Sequence, residues 1–183
     1  MMFKIDSVHF DEVKVISPVS TFKDHRGEFN VSFRRDDFKA LGLPYYFVQD
    51  NVSVSKKNVI RGLHFQLNPD MGKLMTVTAG RAFLVAVDFR RFSPTFLQWH
   101  AVEATAENKI QVWAPSDFLR GFCSLEDGTE VRYKCDGYFD SKADSAVAWN
   151  DPDINIDWPV EEPILSTRDR SALHAVDFFK GAL

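Results

Sequence analysis

Residues 110–135, IQVWAPSDFLRGFCSLEDGTEVRYKC, set the architecture of this chain. Three short apolar runs, Ile110–Trp113, Phe122–Leu125 and Val131–Cys135, are separated by Ala114-Pro115-Ser116-Asp117 and by Asp127-Gly128. Both separators carry turn chemistry: Pro fixes φ, Asp and Ser cap tight bends, and Gly admits positive φ. In the last run Val131, Tyr133 and Cys135 alternate with Glu130, Arg132 and Lys134. That two-residue period puts apolar and polar side chains on opposite faces of a strand.

The same grammar extends outward. Val13–Ile16, Tyr46–Val48, Leu74–Val77 and Phe83–Phe89 read as further strands, with turns at Asp24-His25-Arg26-Gly27 and Ala79-Gly80. Two helices are expected: Asp36–Leu41, ending at Gly42, and one opening at Ser166, with Asp169 in its first turn, and running toward Val176. Many short strands with little helix imply an antiparallel sandwich or barrel, most commonly a jelly roll. No repeat, linker or low-complexity tract divides the chain, so residues 1–183 read as a single domain.

Composition narrows the function classes. The 183 residues are 45% hydrophobic and 14% aromatic, including 17 Phe, which suits a packed β-architecture with aromatic-lined cavities. A net charge of −4 argues against a broad nucleic-acid surface, so an anionic ligand must be held by a few convergent cations. The two cysteines, Cys123 and Cys135, fall in apparent core strands and read as buried free thiols. Neither a signal peptide nor a membrane span is evident, since Lys4, Asp6 and His9 interrupt the first apolar residues. A cytoplasmic protein is the default expectation.

The chemistry concentrates in Arg61-Gly62-Leu63-His64-Phe65-Gln66, followed by Gly72-Lys73-Leu74. Three cations in strand-like sequence are costly unless a charged ligand or a developing negative charge meets them. Histidine can act as a base near neutrality, while Lys and Arg hold anions. The cluster therefore suggests proton abstraction with stabilisation of an oxyanion. His9, His25, His100 and His174 show no comparable spacing.

These segments, with Asp24-His25-Arg26-Gly27, Phe47-Val48-Gln49-Asp50-Asn51, Ser93-Pro94-Thr95-Phe96, Ala106-Glu107-Asn108-Lys109 and Trp149-Asn150-Asp151-Pro152, occur in an order that resembles the dTDP-4-dehydrorhamnose 3,5-epimerase family over almost the full length. The resemblance implies a mainly β, cupin-type double-stranded β-helix (jelly roll) with a few short helices. It also implies an isomerase that inverts C3 and/or C5 of a nucleotide-linked 4-keto-6-deoxy sugar through an enolate, in deoxysugar or surface-polysaccharide biosynthesis. By position, His64 resembles the catalytic base, Asp169 the carboxylate orienting it, Tyr133 the acid on the opposite side of the ring, and Lys73 the cation at the C4 oxygen. Arg26 and Arg61 match pyrophosphate contacts, and Gln49 and Asn51 the segment meeting the nucleobase, often across a dimer interface. Tyr138 and Arg120 complete the implied substrate wall. A homodimer is implied, and no cofactor, because the substrate's carbonyl is the electron sink. A cupin metal site usually shows a His-x-His pair; here His64 is flanked by Leu63 and Phe65, so the strand reads as metal-free.

Four positions depart from the family pattern. Phe118-Leu119-Arg120-Gly121-Phe122 stands where a Phe-Ala-His-Gly-Phe run is usual, and Val31 where a substrate-contacting glutamate is usual. Tyr138-Phe139 replaces a Tyr-Tyr pair, and Arg168 stands where lysine is common. Arg120 and Val31 keep open a single-carbon epimerase acting on a CDP- or GDP-linked keto sugar, even a heptose. A non-catalytic nucleotide-sugar-binding cupin is the reading from a different class.

Overall fold

The computed structural model describes residues 1–180. Its strands, in chain order, are β1 (Phe3–His9), β2 (Val13–Pro18), β3 (Phe22–Asp24), β4 (Gly27–Phe29), β5 (Gln49–Ser55), β6 (Ile60–Gln66), β7 (Lys73–Ala79), β8 (Arg81–Asp88), β9 (Trp99–Thr105), β10 (Gln111–Ala114), β11 (Phe118–Ser124), β12 (Thr129–Cys135) and β13 (Asp144–Ala146). They form a six-stranded sheet, β1-β2-β10-β7-β12-β5, a five-stranded sheet, β13-β6-β11-β8-β9, and the separate β3–β4 hairpin. Pairing within the sheets is antiparallel throughout. The two large sheets face each other as a cupin-type jelly roll.

Alternation sorts side chains into three layers. Leu84 and Ala86 of β8 and Phe118 and Phe122 of β11 meet Met75, Val77, Val112 and Val131 of the other sheet, forming the core between the sheets. The opposite-facing Val85, Val87 and Leu119 are also buried, under Ile154, Ala175, Phe178 and Phe179. Both faces of β8 and β11 are therefore covered, which explains why their sequences are apolar almost without interruption. On the outside of the six-stranded sheet, Leu74 and Trp113 pack with Phe38 of helix α1 (Arg35–Ala40), Phe3, Leu43 and Val31.

Several expectations need correction. Tyr46–Val48 is irregular, and the strand begins at Gln49, because pairing with β12 runs from Gln49 opposite Cys135 to Ser55 opposite Thr129. The strand expected at Phe122 starts at Phe118, since β11 pairs continuously with β8 along Phe118–Ser124. The helix expected to run from Ser166 toward Val176 is one turn only, α2 (Thr167–Arg170); a separate 3-10 helix spans Ala175–Phe179. Asp151 and Ala148 hold the intervening backbone: Ala175 N donates to Asp151 Oδ2 at 2.6 Å, and Ala148 N to the Leu173 carbonyl at 2.8 Å. Those tertiary bonds outweigh a weak local helix preference. Cys123 and Cys135 are buried and unbridged, as expected.

Candidate active site

Between the two sheets opens a cavity of about 400 Å³, whose walls include Arg61 and His64 of β6, Arg120 of β11, Lys73 and Met75 of β7, Tyr133 of β12, and Asp169 of α2. A smaller one of about 280 Å³ shares His64, Lys73, Tyr133 and Arg168, and adds Gln49, Asn51, Met71, Phe139 and Asp144. His64 comes from the five-stranded sheet, whereas Lys73 and Tyr133 come from the six-stranded one.

His64 Nε2 meets Asp169 Oδ1 at 2.6 Å. Asp169 is 4% exposed, and Ser166 caps its helix by accepting from the Asp169 backbone N–H at 3.0 Å. Burial alone raises the Asp169 pKa, but hydrogen bonds from His64, Ser166 and the Gly62 backbone outweigh it and hold the carboxyl below its ordinary value. An ionised Asp169 accepts from Nε2–H, so neutral His64 keeps its lone pair on Nδ1.

Strict alternation would put Arg61 and His64 on opposite faces, yet both line the cavity. The reason is a register shift: Arg120 faces His64 and Phe122 faces Arg61, so β6 carries one residue more than β11 across the step. Two glycines allow the close approach. A Cβ on Gly62, whose φ is +136°, would lie 2.6 Å from Gly121 Cα, and one on Gly121 would lie 3.0 Å from the Arg61 carbonyl oxygen.

On the facing sheet, Lys73 and Tyr133 are half-buried, with the ammonium 5.2 Å from the Tyr133 ring centroid. Burial, reinforced by the Arg120 charge, pushes Lys73 down to about 8. Burial moves Tyr133 the other way and keeps its phenol protonated above the ordinary range. Gln49 donates to Asn51 Oδ1 at 2.9 Å and accepts from Phe139 N at 3.1 Å, which fixes the polar wall of the smaller cavity.

The arginines separate. Arg61 is exposed at the cavity mouth, its Nε donating to Ser55 Oγ at 3.1 Å. Arg120 is 2% exposed, and its Nη1 donates to the Pro115 carbonyl at 2.6 Å. Arg26 is not brought to either cavity: it sits in the β3–β4 turn, paired to Asp24 at 2.6 Å. Tyr138 is 68% exposed and lines neither cavity; Phe139 beside it does. Val31 packs into the apolar cluster around Phe38. Sequence reasoning missed Asp144, which pairs with Arg168 at the rim. No spacing in the chain signals it, because β13 reaches the site only by pairing with β6. Among the described residues, no group of three or more His, Cys, Asp or Glu side chains gathers as a metal site.

A base with an orienting carboxylate on one wall, and a cation with a phenol on the other, can remove a proton next to a carbonyl and return one from the opposite face. Comparison with known proteins agrees with that chemistry. The family profile described as dTDP-4-dehydrorhamnose 3,5-epimerase matches residues 7–177. A dTDP-4-dehydrorhamnose 3,5-epimerase of Shigella flexneri is 44% identical over 91% of this chain and 92% of its own. The structure of a dTDP-4-dehydrorhamnose 3,5-epimerase from Bacillus anthracis str. Ames, with TDP and PPi bound, superposes with a TM-score of 0.91 at 42% identity, covering 94% of this chain and 99% of that one. A dTDP-6-deoxy-D-glucose-3,5-epimerase from Legionella pneumophila Philadelphia 1, in complex with dTDP-4-keto-L-rhamnose, superposes with a TM-score of 0.90 at 41% identity, covering 95% and 93%. The profile spans nearly the whole jelly roll and every cavity residue named above, and the chain belongs to the dTDP-4-dehydrorhamnose 3,5-epimerase family.

Proposed function

We propose that this epimerase inverts C3 and C5 of a dTDP-linked 4-keto-6-deoxyglucose, with His64 as base, Asp169 orienting it, Lys73 on the C4 oxygen and Tyr133 as the opposing acid. The observation that carries the reading is the partition of the site. His64, held by Asp169 of α2, stands on one sheet, while Lys73 and Tyr133 stand on the other and line the same cavity. A sugar ring between the sheets would meet base and acid on opposite faces, which is what inversion requires.

In the first step His64 Nδ1 takes the proton α to the carbonyl, and Asp169 stabilises the imidazolium. The C–H electron pair becomes the C=C bond of an enolate, and the carbonyl π pair moves onto the C4 oxygen beside Lys73. Tyr133 then donates to the opposite face of the carbon, the carbonyl re-forms, and solvent restores both groups. Arg61, at the mouth, suits the diphosphate, and Gln49 and Asn51 suit the base. The relatives named for dTDP sugars favour this substrate over a CDP- or GDP-linked one.

A homodimer fits the remaining geometry. Phe22 and Phe29 of the β3–β4 hairpin are 54% and 65% exposed, and Val52 and Val54 on edge strand β5 are 54% and 60% exposed. A hairpin reaching into a partner's cavity would deliver Arg26 there; a monomer in sedimentation at micromolar concentration would refute this. One domain over residues 1–183 and a cytoplasmic location complete the reading. Among the described residues no helix is long and apolar enough to cross a membrane, and the unbridged cysteines suit a reducing compartment.

The test is proton NMR in deuterium oxide with dTDP-4-keto-6-deoxyglucose, comparing wild type with His64→Asn. Deuterium entering C3 and C5 in wild type and at neither carbon in the variant is expected. Absence of exchange in the wild type would overturn the substrate, and exchange surviving in the variant would overturn His64 as the base.

A further inference from the structure

Arg120 is the one guanidinium in the described residues with buried nitrogens left unpaired: Nε and Nη2 have no hydrogen-bond partner. Its position makes that unusual. Phe118, Arg120 and Phe122 lie two residues apart on β11, and the two phenylalanines belong to the core between the sheets. Arg120 therefore projects into the same interior, where it lines the cavity. Across the strands it faces His64 on β6 and Ala86 on β8. Among the described residues a backbone carbonyl, that of Pro115, accepts its single hydrogen bond, and no carboxylate pairs with it. Asp117, Asp136 and Asp144 act on it only through their charge; of the cavity carboxylates, Asp169 is committed to His64 and Asp144 to Arg168.

A buried charge without a counter-charge is normally eliminated or paired. Here it is retained, and it faces a cavity that already holds a second uncompensated cation. Lys73 makes no ion pair among the described residues, and its ammonium rests against the Tyr133 ring. Two cations that line one cavity, neither of them in an ion pair among the described residues, define an anion site. The diphosphate is a poor occupant for it. That group is permanently ionised and strongly hydrated, and the exposed Arg61 offers it a place at the mouth. The enolate oxygen is a better match, because its charge exists only after proton transfer, beside His64, and is met by donors already in place.

The geometry points to Arg120 as a second oxyanion donor: Nε and Nη2 hold the C4 oxygen together with Lys73 Nζ while the enolate exists. This rests on the proton-transfer chemistry proposed above. When His64 removes the α proton, the C–H pair forms the C=C bond and the carbonyl pair moves to oxygen, between guanidinium and ammonium. When Tyr133 returns a proton to carbon, the pair moves back and both cations are released. The planar fork of Arg120 presents two donors along one edge, which a single imidazole at that position lacks.

The experiment compares the full chain with Arg120→Gln in the same exchange and epimerisation assays, and measures dTDP affinity by calorimetry. A group acting on the enolate lowers kcat by about 10²–10³, while KM and the Kd for dTDP stay within about threefold. A tenfold rise in KM or Kd with kcat retained would make Arg120 a ground-state contact to the nucleotide sugar, and no change in any of them would remove it from the site. Should Arg120→Gln fail to fold, Arg120→His carries the same comparison. Wild-type protein that exchanges neither carbon would refute the underlying reaction, whereas active wild type with an unimpaired variant refutes only the role of Arg120.

Discussion

Replacing Asp169 by asparagine exchanges one carboxylate oxygen for an amide at nearly constant volume, and the structure sets what that should cost. The wild-type carboxylate accepts from His64 Nε2 at 2.6 Å while only 4% exposed, so the bond is charge-assisted and poorly screened. Hydrogen bonds to charged groups contribute about 1.5–3 kcal/mol, or roughly ten- to 150-fold in rate if the whole bond is felt in the transition state. Asparagine adds a second penalty. Its oxygen can still accept from Ser166 and Gly62, the neighbours that hold the carboxylate, leaving the amide N–H to face His64. Nε2 must then accept and Nδ1 carries the proton, which is the wrong tautomer for a base acting through Nδ1. The combined expectation is a loss of about 10²–10⁴ in kcat at little changed KM. Asp169→Ala, which lets the ring choose its tautomer, should retain more activity than asparagine despite being the larger deletion. Deuterium incorporation at C3 and C5 followed by NMR, with dTDP binding as a check on the pocket, gives the answer. Asp169→Asn within tenfold of wild type, or Asp169→Ala the worse of the two, would refute the argument.

Lys73, depressed to about 8 by burial and by Arg120, carries its charge below that pH and loses it above. Enolate stabilisation is therefore present at neutral pH, and kcat should decline as pH rises through about 8, toward the level that Arg120 alone supports; in Lys73→Met the decline should vanish from a lower plateau, and an identical alkaline limb in the variant would show that another group titrates. Gly62→Ala places a Cβ 2.6 Å from Gly121 Cα in a backbone at φ +136°, so overpacking and conformational strain should together cost about 2–5 kcal/mol in urea unfolding; a loss below about 1 kcal/mol would mean that the strands shift apart cheaply.

The strand period carried much of the architecture before any coordinates. Val131, Tyr133 and Cys135 face inward as their alternation requires, with Val131 and Cys135 fully buried. Residue chemistry likewise singled out Arg61, His64 and Lys73, and family resemblance added Tyr133; all four line one cavity. What alternation cannot convey is a break in itself. Arg61 and His64 share a cavity because β6 carries an extra residue opposite Gly121, a property of pairing with β11 rather than of either strand alone. Helix α2 stops after one turn because distant groups, Ala148 and Asp151, claim the backbone that follows.

Local sequence thus marked about half of the strands, the chemical types at the site and, through family resemblance, the reaction class. Tertiary structure alone decided that His64 and Tyr133 stand on opposing sheets, that Asp144 and Arg168 meet at the rim, that Arg26 lies away from the cavities, and that Arg120 points inward with two nitrogens unpaired. The division has one physical origin. Period and residue type act over a few positions, whereas the burial that moves Lys73 and isolates Arg120 is produced by chain segments far apart in sequence packing against one another.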